Sequence, residues 1–202
     1  GVLSEELDAL KPIILQTLHN IVRSEEGLVA AINANCVGIC IDLLNKSVQQ
    51  EDDYSTHEPK IIAETSRTLG YMCFDGRAKT EALEKKAAKK LCDLLAKKNL
   101  ADFAKPSITI ALMAITTTSE GKIQVNAANG VEVVINQLYD NNKVVILNTL
   151  KIISNIAVYP PNREILLTDS TCVVKLRKMS KYDDPLVAKH AAVALAAVNW
   201  AP

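Results

Sequence analysis

One spacing constrains this chain more than any other feature. Leu18, Leu69, Leu112 and Ile153 each lie near the end of an apolar helical stretch, and Leu44, Leu95, Leu138 and Met179 follow them 26 residues later in every case. A spacing kept four times marks one supersecondary unit repeated along the chain. The connections between units absorb the variation: successive first anchors from Leu69 to Leu195 are 43, 41 and 42 residues apart, and the first interval is longer. A unit of this size cannot bury its apolar face alone, so the units must stack on one another. The pattern is plainest at residues 151–167, where Lys151-Ile-Ile-Ser-Asn-Ile-Ala-Val-Tyr runs into Pro160-Pro161 and a second amphipathic segment begins at once. Weaker copies occur at Leu18–Gly27, Leu69–Arg77 and Leu112–Lys122.

Four units follow, at about 4–46, 59–98, 106–141 and 142–181, with a closing helix at 184–200. Composition suits helix-on-helix packing: 49% of residues are hydrophobic and 4% aromatic, so the apolar content is Leu, Ile, Val and Ala. In the first unit Pro12 cannot give an N–H to the preceding turn. It predicts a short helix to Leu10 and a longer one starting at Pro12. Ile13, Ile14, Leu18, Ile21 and Val22 form the expected inward stripe, joined by Ile39, Cys40, Leu43 and Leu44. Residues 47–58 are polar, acidic and aperiodic, and read as an exposed loop insertion. The second unit points Ile62, Thr65, Leu69, Met72 and Cys73 inward. Lys79 to Leu95 reads as one helix, with Leu83, Ala87, Leu91 and Leu94 inward and Lys85–Lys90 as a solvated face. Ile108 to Thr117 is apolar nearly all round and is expected to be buried on two sides. Val131 to Tyr139 is assigned to helix by register, against its β-branched content. Trp200 is expected to fold over the last core.

Charge and motifs exclude several functions. Lys plus Arg equals Asp plus Glu at 23 each, without the basic excess usual in a general nucleic-acid binder. Cys36, Cys40, Cys73, Cys92 and Cys172 form no CxxC pair and read as reduced thiols buried as small hydrophobes. They complete no zinc set. His19, His57 and His190 lie far apart, and His19 and His190 read as structural. There is no Gly-rich phosphate loop, no GxSxG and no HExxH. No catalytic residue, no metal ligand and no cofactor is expected. No apolar run reaches the roughly 18 residues of a membrane span. Gly1-Val-Leu-Ser-Glu-Glu is acidic and unlike a signal peptide. Gly1 in place of Met suggests a fragment of a longer chain.

Asn155-Ile-Ala with Asn162-Arg163-Glu-Ile165, Val133-Val-Ile-Asn-Gln-Leu138 and Ile41-Asp-Leu-Leu44 resemble the Ala-Leu-x-Asn-Leu-Ala, Asn-Arg-x-x-Ile and Leu-Val-x-Leu-Leu stretches of armadillo repeats. The resemblance covers nearly the whole chain. HEAT repeats are the near neighbour, and Asp184 to Leu195 suits either. The resemblance implies an all-α, armadillo/HEAT-like right-handed α-solenoid of about four repeats plus a C-terminal capping helix. It also implies a groove along the long third helices that takes extended peptides. Placed two residues before and two after each first anchor, the groove positions are Gln16, Asn20, Arg67, Tyr71, Ile110, Ala114, Lys151 and Asn155. The polar or aromatic candidates for partner binding are Gln16, Asn20, Arg67, Tyr71, Lys151 and Asn155. Importin-like members carry Trp at the earlier position. None stands there in this chain, which counts against nuclear-signal binding.

The expected function is a non-catalytic protein–protein interaction scaffold. Leu112–Val125, the fourth unit and the closing Val198-Asn-Trp-Ala-Pro202 are similar to the armadillo-type radial-spoke head proteins of cilia. That similarity implies a structural subunit of the axoneme. The alternatives are a peptide-reading transport or signalling adaptor, and a regulatory segment of a larger enzyme. The partners expected are other proteins, axonemal or cytoskeletal subunits among them, with no nucleic acid and no membrane. The first unit would need an N-terminal neighbour or a partner to cover its core, so the fragment is expected either to self-associate through that end or to begin at a stable boundary.

Overall fold

The turn after each long helix is closed at one position of the repeat. Ser24 accepts a hydrogen bond from the Gly27 N–H at 3.1 Å, Asp75 from Arg77 at 2.8 Å, and Thr118 from Gly121 at 3.1 Å. Each satisfies one of the donors that a helix start leaves unpaired. In the fourth repeat this position is Tyr159, which makes no side-chain cap. There Pro160 opens the helix, and a proline has no N–H to satisfy at that place.

The computed structural model describes residues 2–49 and 58–200, with side chains from residue 9 onward. The helices are α1 (Val2–Ile21), α2 (Glu25–Asn33), α3 (Cys36–Gln49), α4 (Glu58–Met72), α5 (Gly76–Glu84), α6 (Ala87–Leu95), α7 (Lys105–Ile115), α8 (Ser119–Ala127), α9 (Gly130–Asn136), α10 (Lys143–Ile156), α11 (Pro160–Thr168), α12 (Ser170–Met179) and α13 (Pro185–Val198). Short 3-10 turns occupy Asp102–Ala104 and Gln137–Tyr139. Among the described residues there is no strand. No single described helix is long and apolar enough to cross a membrane; α2 and α3 reach that length only together, across a bend of 69°.

Two compact units result, residues 1–115 and 116–202. In the first, the long helices α1, α4 and α7 pack in sequence, and α3 and α6 lie against them. Val37, Leu44, Leu69, Met72, Leu91 and Leu112 are fully buried there. α4 and α7 approach closely: a Cβ built on Gly70 would lie 2.9 Å from the Ala111 Cα. In the second, α10 packs on α13, and α12 closes against α13. Its core is Val131, Leu138, Leu150, Ile153, Leu176 and Met179. Each such Leu or Ile contributes about 1.5–3 kcal/mol by leaving water. Asn162 ties one repeat to the one before it, its Nδ2 donating to the Lys122 carbonyl at 2.9 Å.

Among the described residues, three hold left-handed backbone: Asn35 (φ 60°), Lys86 (φ 59°) and Asn129 (φ 50°). Each stands 17 residues after its repeat's first anchor, where the chain reverses between the second helix of the unit and the third. Asn tolerates this conformation better than most residues. Lys86 does not, and nothing in Lys85-Lys86 announces a break. The helix expected over Lys79–Leu95 is therefore two, α5 and α6, divided at Lys86. In the fourth repeat no left-handed residue is used; Asp169 caps α12 instead, accepting from the Thr171 and Cys172 N–H groups at 2.8 and 2.9 Å.

Other expectations give way as well. Pro12 lies inside a continuous α1 and starts no new helix. Of the α1 stripe, Val22 is buried together with Leu15, but Ile13, Ile14 and Ile21 face solvent. Ile39 is exposed too, and Leu43 half-buried. Periodicity identifies residues that share a face; it does not supply a neighbour to cover them. The insertion at 47–58 is anchored at both ends, since Ser47 and Glu58 are buried and the Ser47 hydroxyl donates to the Glu58 carboxylate. Residues 50–57 of that insertion, with His57, lie outside the described residues. Trp200 covers the last core only in part: it is 57% exposed, lies beside Ala157, Ala196 and Ala197, and has the Arg163 guanidinium 5.0 Å from its ring centroid.

Candidate partner-binding face

Gln16 and Asn20 on α1 and Arg67 and Tyr71 on α4 all face solvent. They are brought side by side because α1 packs on α4, with the Thr68 hydroxyl donating to the Leu15 carbonyl at 3.3 Å across the joint. Four residues on each helix return to the same face, so 16 and 20, and 67 and 71, form two short rungs.

An aromatic group completes this face. The Tyr71 ring meets His19 edge to face at 5.6 Å and Phe74 edge to face at 6.1 Å. Such contacts hold rings in place beyond what their buried area contributes. Phe74 is exposed and was not a sequence candidate. Its signal was a position, five residues after the anchor, just outside the two rungs considered. Burial pushes the His19 pKa down, and Arg67 nearby adds to this against the opposing pull of Glu64. The imidazole is thus neutral at pH 7, and its Nδ1 is buried without a hydrogen-bond partner. Arg67 is held 3.4 Å from Glu64 yet stays substantially exposed.

The pattern fades along the chain. On α7 the corresponding positions are Ile110, half-buried, and Ala114, buried. In the second unit Lys151 and Asn155 are both half-buried on α10. The Asn155 Nδ2 donates to the Thr116 hydroxyl at 3.3 Å, so this amide spends a donor inside the protein. Lys151 stands near His190, whose pKa is lowered by burial first and by Lys151 next. On α13 the equivalent positions are Val193 and Ala197, which offer no polar group. The structure therefore brings Gln16, Asn20, Arg67 and Tyr71 onto one surface, and places Lys151 and Asn155 in the other unit.

No described group of three or more His, Cys, Asp or Glu residues has a metal-holding arrangement. Of the five cysteines, Cys36 is half-buried rather than buried. Burial pushes the thiols of Cys40, Cys73, Cys92 and Cys172 up to about 12, so none is a nucleophile near neutral pH.

No protein-family model matches the sequence, and no curated protein sequence matches it. Solved structures do. An engineered protein of the Northeast Structural Genomics Consortium superposes with a TM-score of 0.79 at 21% identity, over 95% of this chain and 76% of that one. The designed armadillo repeat protein YIII(Dq)4CqI gives 0.76 at 21% identity, over 92% and 74%. A designed armadillo repeat protein solved in complex with the peptide (KR)4 gives 0.75 at 20% identity, over 96% and 81%. With the repeat register and the helix order above, these likenesses establish that the chain has the all-α armadillo-repeat fold.

Proposed function

We infer that this protein is a non-catalytic interaction scaffold that holds an extended segment of another protein across α1 and α4. The observation that carries the reading is the exposed cluster of Tyr71 and Phe74, rigidified by His19 and flanked by Gln16, Asn20 and Arg67. Amides at two-rung spacing bond a peptide backbone as donor and acceptor at once. Exposed, ordered aromatic rings supply contact area at small entropic cost. That a designed armadillo repeat protein was solved with a peptide bound supports the mode of binding. Its basic peptide does not transfer, because the single charged side chain in this cluster is Arg67. A segment with an acidic residue and a large apolar side chain fits better.

A peptide array probed with the wild-type chain and with the Arg67→Ala/Tyr71→Ala variant tests this. The expected result is a set of linear sequences bound by the first and lost by the second. An array with no bound sequence sinks the reading. Lys151, on α10 of the second unit, is a separate candidate, and Lys151→Ala probed on the same array tests it by itself. The similarity of Leu112–Val125 and the closing residues to radial-spoke head proteins supports placement in the ciliary axoneme, with axonemal subunits as partners. Absence of the tagged protein from an isolated axoneme fraction of a ciliated cell would count against that placement.

A further inference from the structure

Helix α12 departs from its counterparts in the other repeats. Consider the residues 18, 22 and 25 after each first anchor. In the second repeat these are Ala87, Leu91 and Leu94 of α6, and in the third Gly130, Val134 and Gln137. All six are buried, and in the second repeat α3 packs on α6. In the fourth repeat the same positions carry Thr171, Lys175 and Lys178 of α12; Thr171 and Lys178 are exposed and Lys175 is half-buried. A groove of about 470 Å³ opens here between α12 and the 3-10 turn at Gln137–Tyr139, lined by Tyr139, Ser170, Thr171, Val174, Lys175 and Lys178. Both walls lie within the second compact unit, between consecutive repeats, with α13 following.

The groove is basic and partly apolar. Residues 170–182 hold Lys175, Arg177, Lys178 and Lys181 and no Asp or Glu, in a chain whose formal charge is zero. Asp169, just before them, is occupied as the cap of α12: it accepts from the Thr171 hydroxyl at 2.6 Å as well as from the Thr171 and Cys172 N–H groups. A cation in the last turn of a helix is favoured by the helix dipole, which accounts for Lys178. Lys175 stands a turn earlier. Its ammonium lies 4.4 Å from the centroid of the Tyr139 ring, a contact that holds the charge in place without neutralising it. Residues three and four apart on a helix are neighbours, so Thr171, Lys175 and Lys178 share one face. Beside them Val174 is 63% exposed and Tyr139 52%. Two positive charges thus stand next to exposed apolar surface.

We propose that this groove is a second docking site, which takes an acidic segment of a partner protein. Carboxylates of the segment meet Lys175 and Lys178, and an apolar side chain lies against Val174 and the Tyr139 ring. Charge complementarity selects the sign of the partner, and the apolar wall selects its class. A nucleic-acid backbone has no apolar group to place on Val174. The groove also lacks arginine, whose planar fork suits phosphate better than the point charge of a lysine. The site shares no residue with the face on α1 and α4, so it stands independently of the peptide-binding reading given above.

Fluorescence anisotropy with a labelled peptide of repeated Glu-Glu-Leu tests it. The titrations use the full chain carrying Arg67→Ala/Tyr71→Ala, which removes the face on α1 and α4 from the measurement. The peptide should still bind this chain, and the same peptide with Gln for Glu should not. Adding Lys175→Glu/Lys178→Glu should weaken binding by about tenfold or more, since like charges are then opposed. Val174→Ser should weaken it by a smaller factor, and raising the salt should weaken it further. Lys178→Glu alone, at an exposed position, serves as a second variant, and circular dichroism should show unchanged helicity in each. The proposal is overturned if the acidic peptide fails to bind once Arg67 and Tyr71 are replaced, if binding survives the lysine reversals, or if the Gln peptide binds equally. Labelled oligothymidylate that binds as tightly and is lost with the same reversals would assign the groove to phosphate, and would overturn it too.

Discussion

Gly70 offers the sharpest test of how the first unit is packed. A Cβ added there would meet the Ala111 Cα at 2.9 Å, its backbone N at 3.0 Å and its Cβ at 3.3 Å. The obstacle is mostly backbone, so no side-chain rotation relieves it. Two effects oppose each other in Gly70→Ala. Within a helix, Gly→Ala gains about 1 kcal/mol of propensity. Forcing a methyl into a close-packed joint costs about 1–3 kcal/mol through displacement of the neighbouring helix. Because α4 and α7 must separate by several tenths of an ångström along their closest contact, the second effect prevails, and a net loss of up to about 2 kcal/mol is expected. Gly76 serves as the control. It opens α5, and an added Cβ there meets nothing within 4 Å. Gly76→Ala should therefore raise stability by up to about 1 kcal/mol. Urea titration of the wild type and both variants, followed by far-UV circular dichroism, reads the two shifts directly. If Gly70→Ala is as stabilising as Gly76→Ala, the α4–α7 joint is looser than described and the packing argument is wrong.

Lys86 holds left-handed backbone where two equivalent positions carry Asn. Lys86→Asn should stabilise by about 0.5–1 kcal/mol in the same titration, since the conformation costs an ordinary side chain roughly 1–2 kcal/mol. Asp169 has its pKa lowered, by the Thr171 hydroxyl first and by the Cys172 and Thr171 N–H groups after it, against some burial. A carboxylate with a depressed folded-state pKa adds stability that is complete above its unfolded value, about 3.9, and is lost as pH falls through the folded value. Asp169→Ala should thus cost about 1 kcal/mol at pH 7 through loss of the cap, and the difference from wild type should shrink in acid. Thermal melts at pH 7 and pH 3 measure this. For the thiols, Cys36 should react first with a maleimide at pH 7.5, and Cys40, Cys73, Cys92 and Cys172 only after denaturation, as intact-mass spectra would show. Early labelling of a second cysteine would contradict the burial assigned to it.

The fold was legible because its signals are local and periodic. The 26-residue spacing survives any tertiary detail. Ser24, Asp75 and Thr118 are recognisable as residues that start helices. The break at Lys86 was hidden because it uses an unfavourable residue in a demanding conformation, with neither Gly nor Asn to announce it. Pro12 misled in the other direction. It removes one donor from α1, yet the helix runs on through it from Val2 to Ile21.

Of the candidate face, sequence register found Gln16, Asn20, Arg67 and Tyr71 but neither Phe74 nor the tethering of Asn155. The first lies outside the strict two-rung rule. The second depends on Thr116, 39 residues away, a separation at which side-chain pairing leaves no local trace.

By itself, then, the amino-acid order determined the repeat, its helices and the positions of its joints, because spacing and capping act within a few turns of chain. Only the tertiary structure decided which apolar faces are covered. Ile14 and Ile108 hold the same place in their repeats, yet one is exposed and the other fully buried. The difference is whether a preceding long helix lies against them, and that neighbour is a property of the stack, absent from either residue's own surroundings in sequence.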